Sequence, residues 1–197
     1  MSLPPPRDPQ GPYRVCFVCL GNICRSPMAE VVARAQLAKA GLADRVVVDS
    51  AGTGDWHLGD HMNSRARAAL ARRGYDGESH RARQYDASWV GNHDLVLAMD
   101  HSNLKNLKSL SRTDLSGSTS GGSGGVVPPG KPTGSSRIRL FGDVTGLNGA
   151  DVPDPYGGSP AEFARVLDLL ESAMPKLIAQ LAHVLPQLPP PPPSPTV

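Results

Sequence analysis

The chain has 197 residues, 21 Gly, 20 Pro and a formal net charge of +2 from 20 basic and 18 acidic side chains. So even a balance argues against a dedicated nucleic-acid binder, and no apolar run approaches the roughly 18 residues of a membrane span. The Gly and Pro excess would suggest low complexity if it were uniform, but it is local: residues 1–12 hold five prolines, residues 186–197 hold seven, and residues 114–136 hold three more with seven glycines. About 150 residues remain outside these segments, enough for one domain with a sizeable core. The expected organisation is a disordered Pro-rich tail over 1–12 and a domain over 13–186 carrying a flexible Gly/Ser/Pro-rich insertion at 114–136. A second disordered Pro-rich tail is expected over 187–197, where the proline run could form polyproline II. The start, Met1-Ser-Leu-Pro-Pro-Pro, has no apolar signal core, so a cytoplasmic protein is expected, with leaderless secretion left open.

In chain order, Val15 to Cys19 is a continuous apolar run that fits a strand buried on both faces. Leu20-Gly21-Asn22-Ile23-Cys24-Arg25 reads as a loop, with Gly and Asn tolerating unusual backbone angles. Ser26 and Pro27 read as N-cap and first residue of a helix to about Lys39, ended by Gly41. Val46 to Val48 is a second strand, followed by a loop over 49–54. A helix is expected from Asn63 to Arg73, ended by Gly74, and a third strand from Leu95 to Ala98. Asp100 or Ser102 would cap a short helix over Leu104 and Leu107, and Ile138 to Phe141 would be a fourth strand. The last helix spans about Pro160 to Leu185, with a stripe through Phe163, Val166, Leu167, Leu170, Met174, Leu177, Ile178 and Leu181, and a kink at Pro175. Alternating strands and helices indicate an α/β fold with a parallel sheet, whose ligands bind at the carboxyl ends of the strands.

The three cysteines, Cys16, Cys19 and Cys24, are clustered and odd in number, which is not a secreted disulfide framework. No second pair exists to complete a structural zinc site, so no metal is expected. Cys19 sits where the first strand stops, and Arg25 follows at a helix start. A loop wrapped over a helix N-terminus turns backbone N–H groups inward and suits a tetrahedral dianion. Arg25 adds a planar fork that can hold two phosphate oxygens. The same field favours the thiolate of Cys19 as a nucleophile aimed at phosphorus. One carboxylic acid could then protonate the leaving oxygen and later activate water, with no cofactor; Asp151 and Asp154 are equally eligible on spacing.

Val15-Cys-Phe-Val-Cys-Leu-Gly-Asn-Ile-Cys-Arg-Ser-Pro-Met-Ala-Glu30 resembles the active-site loop of the low-molecular-weight protein tyrosine phosphatases. The resemblance continues through Asp49 to His57, His80 to Gln84, Asp94 to Asp100 and Asp151 to Tyr156. It implies a single-domain, three-layer α/β fold with a central four-stranded parallel sheet and a phosphate-binding loop after the first strand. It also implies hydrolysis of phosphotyrosine in proteins through a phosphocysteine intermediate. Cys19 would be the nucleophile, Arg25 the phosphate clamp and Asp154 the general acid and base. Leu20, Gly21, Asn22, Ile23 and Cys24 would complete the phosphate loop. Asn22, Ser26 and His80 would brace it, and Trp56 and Tyr156 would wall the aryl cleft. Gly157 stands where the family often has a second Tyr. The resemblance further implies that Cys24 is a redox partner of the nucleophile. Phosphotyrosine proteins are the expected partners, a bacterial tyrosine kinase among them, with inorganic phosphate as product and the enzyme a monomer.

Three rivals remain. Arsenate reduction on this fold needs resolving cysteines downstream, and none follows Cys24. Protein arginine phosphatases similar to this chain carry Thr where Ile23 stands. A non-enzymatic phosphate binder would not need Cys19, Arg25 and an acid together.

Overall fold

The computed structural model describes residues 2–116 and 134–185. Four strands, β1 (Tyr13–Cys19), β2 (Val46–Gly52), β3 (Leu95–Ala98) and β4 (Ile138–Leu140), form one sheet in the order β2-β1-β3-β4. All pairings are parallel, with Cys19 opposite Gly52 and Val18 opposite Ala98. β1 is central and apolar at all but Arg14, which is why it is buried on both faces.

The sheet separates two cores. On one face α1 (Arg25–Lys39) and α5 (Pro160–Val184) pack over Val15, Phe17, Leu95 and Leu97. On the other, Cys16, Val18, Val96 and Ala98 meet Tyr85 and Leu107. α2 (Ser64–Ala71) is capped by the Asn63 side chain, which accepts from Arg65 N–H at 2.9 Å. α5 starts with a capping box between Ser159 and Glu162 and with Pro160 at its first residue.

Several elements differ from the sequence expectation, β2 among them, which runs on to Gly52. α1 begins at Arg25, so Ser26 lies inside its first turn and its hydroxyl serves the site instead of capping. α3 (His101–Ser116) is longer than a short helix over two leucines. Phe141 leaves β4 to open a five-residue helix, α4 (Phe141–Thr145), which buries its ring against Phe17. The N-terminal segment, expected to be disordered, lies against the body: Leu3 is buried, and the Pro4 carbonyl accepts from Tyr13 Oη at 2.8 Å. The expected insertion falls mostly, and the C-terminal tail entirely, outside the described residues. No helix among those residues is long and apolar enough to cross a membrane.

Candidate active site

β1 delivers Cys19 to the carboxyl edge of the sheet, and the chain then wraps over the start of α1. The carbonyls of this loop are turned outward. Cys19 O accepts from Thr53 N–H and Leu20 O from Gly54 N–H, both at 2.9 Å. Ile23 O accepts from Asn63 N–H at 2.8 Å, and Cys24 O from Met28 N–H at 3.1 Å. Asn22 O accepts from His80 Nε2 at 2.7 Å. In a planar trans peptide the next N–H points the opposite way, so the N–H groups of Leu20, Gly21, Ile23, Cys24 and Arg25 face the cleft.

Two donors meet the sulfur. Asn22 N–H lies 3.3 Å and the Ser26 hydroxyl 3.1 Å from Cys19 Sγ, an arrangement that suits a sulfur carrying negative charge. Asn22 is fully buried with φ of 55°, a left-handed angle that Asn tolerates better than most residues. Its amide donates to Ser26 Oγ and Ser50 Oγ, each at 2.9 Å, and its side-chain oxygen accepts from Arg83 N–H at 2.9 Å. Burial lowers the His80 pKa, so the ring is neutral at pH 7 and donates through Nε2 to Asn22 O.

Arg25 is buried behind the cleft. Its Nη1 donates to Asp100 at 2.6 Å and its Nη2 to Asp154 at 2.7 Å. Burial works against its charge, but Cys19, Asp100 and Asp154 outweigh burial and raise its pKa. Its Nε is buried without a hydrogen-bond partner among the described residues, a donor left over for a ligand oxygen. Cys19, Leu20, Gly21, Ile23, Cys24, Arg25, Trp56, Asp154 and Tyr156 line one pocket together with His57. Trp56 is 71% exposed and Tyr156 63% exposed, so both are walls of an open cleft and neither is core.

The sequence pattern of the low molecular weight phosphotyrosine protein phosphatases matches residues 14–116 and 127–186. The chain belongs to this family. A low molecular weight protein-tyrosine-phosphatase of Streptomyces coelicolor is 41% identical over 85% of this chain and 92% of its own length. The crystal structure of a protein tyrosine phosphatase from Entamoeba histolytica superposes with a TM-score of 0.72 at 34% identity, covering 87% of this chain and 97% of that one. The YwlE arginine phosphatase superposes with a TM-score of 0.70 at 26% identity, over 86% of this chain and 95% of that one.

Within this phosphatase framework the pocket gathers every expected lining residue except Asn22, which sits behind it with Ser26 and His80. Asp151 does not reach the site: its carboxylate holds the His101 ring at 2.6 Å and the His101 N–H at 3.1 Å. Sequence reasoning missed His57, whose ring lies over Gly21 and is anchored through Nδ1 to Asp60 at 3.0 Å. It also took Asp100 for a helix cap alone. Asp100 caps α3 through Asn103 N–H at 2.7 Å with one oxygen and holds Arg25 with the other. Both residues stand inside the blocks that carried the resemblance, which was the available signal.

Proposed function

We propose that the protein is a cysteine-dependent protein-tyrosine phosphatase in which Cys19, Arg25 and Asp154 carry the reaction. The observation that supports this most is Cys19 Sγ, held by two donors at the foot of a loop whose N–H groups converge beside Arg25. The loop amides and Arg25 bind the three peripheral phosphate oxygens and carry their charge. The thiolate attacks phosphorus, the bond from phosphorus to the tyrosine oxygen breaks, and Asp154 gives that oxygen its proton. Asp154 then takes a proton from water, the water oxygen attacks the phosphocysteine, and the S–P bond breaks to return the thiolate and release phosphate.

Asp154 Oδ1 accepts from Tyr156 N–H at 3.1 Å, so one turn places the acid and an aromatic wall side by side. A phosphate taking the Nη2 edge of Arg25 displaces the Asp154 contact and leaves that carboxyl to face the leaving oxygen. Trp56 and Tyr156 favour a flat aryl group at the depth set by the loop. The likeness to an arginine phosphatase makes phosphoarginine the second reading, and Ile23 in place of Thr favours phosphotyrosine. Substrates are phosphotyrosine proteins, a bacterial tyrosine kinase among them. The enzyme acts in the cytoplasm, where the thiol chemistry of three unpaired cysteines is maintained, and as a monomer, since one chain supplies the whole pocket. Burial pushes the Cys24 thiol up to about 12, so as a redox partner of Cys19 it would attack slowly at neutral pH.

Cys19→Ser should lower turnover of a phosphotyrosine peptide by at least about a thousandfold while the thermal midpoint holds. Retained turnover in a folded variant rules the mechanism out. Faster wild-type turnover of a phosphoarginine peptide than of its phosphotyrosine counterpart rules out the substrate class.

A further inference from the structure

On the face of the sheet away from α1, three metal-ligating side chains converge from separate segments: Cys16 of β1, Asp49 of β2 and His93 in the turn before β3. One donor atom from each lies within 4.8 Å of the other two. We propose that Cys16, Asp49 and His93 form a binding site for a borderline-soft divalent cation, with the ligand chemistry of Zn2+. None of the three takes part in the phosphatase reaction above.

The donor set is one thiolate, one imidazole and one carboxylate, the mixture zinc accepts. His93 is oriented for it. Its Nδ1 lies 3.1 Å from Trp89 O, which fixes the proton there, as the outer partner of a metal-bound histidine does. Nε2, 3.2 Å from Asp49 Oδ2, is then the ring nitrogen that faces the carboxylate and can hold a cation. Asp49 Oδ1 and Tyr85 Oη are both buried without a hydrogen-bond partner among the described residues. The Tyr85 ring, itself 2% exposed, packs 6.1 Å from the His93 ring, and Cys16 and Asp49 both act electrostatically on its phenol. An unpartnered carboxylate oxygen beside a thiol and an imidazole is a set of groups that a cation can bring together. Cys16 Sγ lies 3.8 Å from Phe17 O and also interacts with the Asp49 carboxylate.

Arg83 is the charge that opposes a cation here. Its Nη2 sits 2.9 Å from Asp49, and its guanidinium lies 4.8 Å over the Trp89 ring, so it is held to the outer side of the carboxylate. Asp49 Oδ1 is thereby left to the interior. Asp49 also lines a solvent cleft with Glu30, Ser50 and Arg83. Burial and Asp49 keep Cys16 protonated. Binding forms an S–metal bond and releases the thiol proton to solvent, with no change of oxidation state.

The test uses the full chain with Cys19→Ser and Cys24→Ser, so that Cys16 is the single thiol. Titration with Co2+ alone should give one ion per chain with a thiolate-to-cobalt charge-transfer band in the near ultraviolet. Zn2+ should displace the cobalt and raise the thermal midpoint in a concentration-dependent way. His93→Ala and Asp49→Asn should each weaken binding at least tenfold, and Cys16→Ser should remove the band. Absence of the band at millimolar cobalt overturns the proposal, as does a band that survives His93→Ala unchanged. The two histidine and aspartate variants keep the test decisive where Cys16→Ser, in the core of β1, fails to fold.

Discussion

Asp154 and Asp151 are the same residue type three positions apart, and their surroundings give them different work. Asp154 Oδ2 meets Arg25 at 2.7 Å in the pocket, whereas Asp151 is spent on the start of α3. Asp154→Ala should therefore lower kcat on a phosphotyrosine peptide by about 10²–10⁴-fold. The loss should shrink for an aryl phosphate whose leaving group needs no proton. Asp151→Ala should change kcat less than about threefold, since it only loosens a helix cap. Steady-state kinetics of both variants on the two substrates check this, and a larger loss in Asp151→Ala reverses the assignment. Spacing along the chain could not choose between these carboxylates because both lie far from the loop in sequence. The resemblance chose Asp154, and the placement of the two side chains supports the same choice.

The phosphate loop depends on elements that contribute no group to the pocket. β2 runs beside β1 to Gly52, and its exit donates Thr53 N–H and Gly54 N–H to the loop carbonyls. A Cβ on Gly52 would stand 2.6 Å from Leu20 O and 3.0 Å from Asn22 N, backbone atoms with no room to yield. Gly52→Ala should push the loop off Cys19, and a displacement near 1 Å is enough to cost about 10²-fold in rate. The expected result is at least about a tenfold loss in kcat/KM with a stability loss of about 1–3 kcal/mol. Unchanged kcat/KM would mean that the loop is not held by this close approach. From sequence alone residues 49–54 read as a loop, whereas β2 continues through the polar Asp49 and Ser50 to Gly52. Both face neighbours that only the assembled fold brings near: Ser50 Oγ accepts from Asn22 and donates to Glu30, and Asp49 pairs with Arg83 and His93.

At the scale of the whole molecule, the N-terminal segment closes the amino edge of the sheet, opposite the active site. Arg7 N–H donates to Asp94 at 2.6 Å and Arg7 Nε to His93 O at 2.9 Å. Arg137 Nη1 donates to Pro5 O and Arg139 Nη1 to Ser2 O, each at 2.9 Å. Deleting residues 2–11 uncovers Leu3's seat and strips partners from Tyr13, Asp94 and Arg137. It should cost about 2 kcal/mol or more, which for a domain this size is roughly 4–8 °C in thermal midpoint. Turnover of p-nitrophenyl phosphate should change less than about twofold, because the segment lies at the far end of the strands. An unchanged midpoint would return this segment to the status of a loose tail.

Local rules in the sequence were enough for much of this protein. The apolar runs specified the buried strands, the 3.6-residue stripe specified α5, and a Cys and an Arg spaced around a Gly-Asn loop marked an anion site at a strand end. Those signals are local, so one sequence carries them. Composition misled at the N terminus, where prolines suggested disorder, because proline removes donors but leaves carbonyls, and it is carbonyls that Tyr13, Arg137 and Arg139 use. The pairing of Arg25 with Asp100 and the meeting of Cys16, Asp49 and His93 were decided by the tertiary structure alone. Each joins side chains from different strands and turns, and contact across a sheet follows strand order and register, which no spacing in a single chain records.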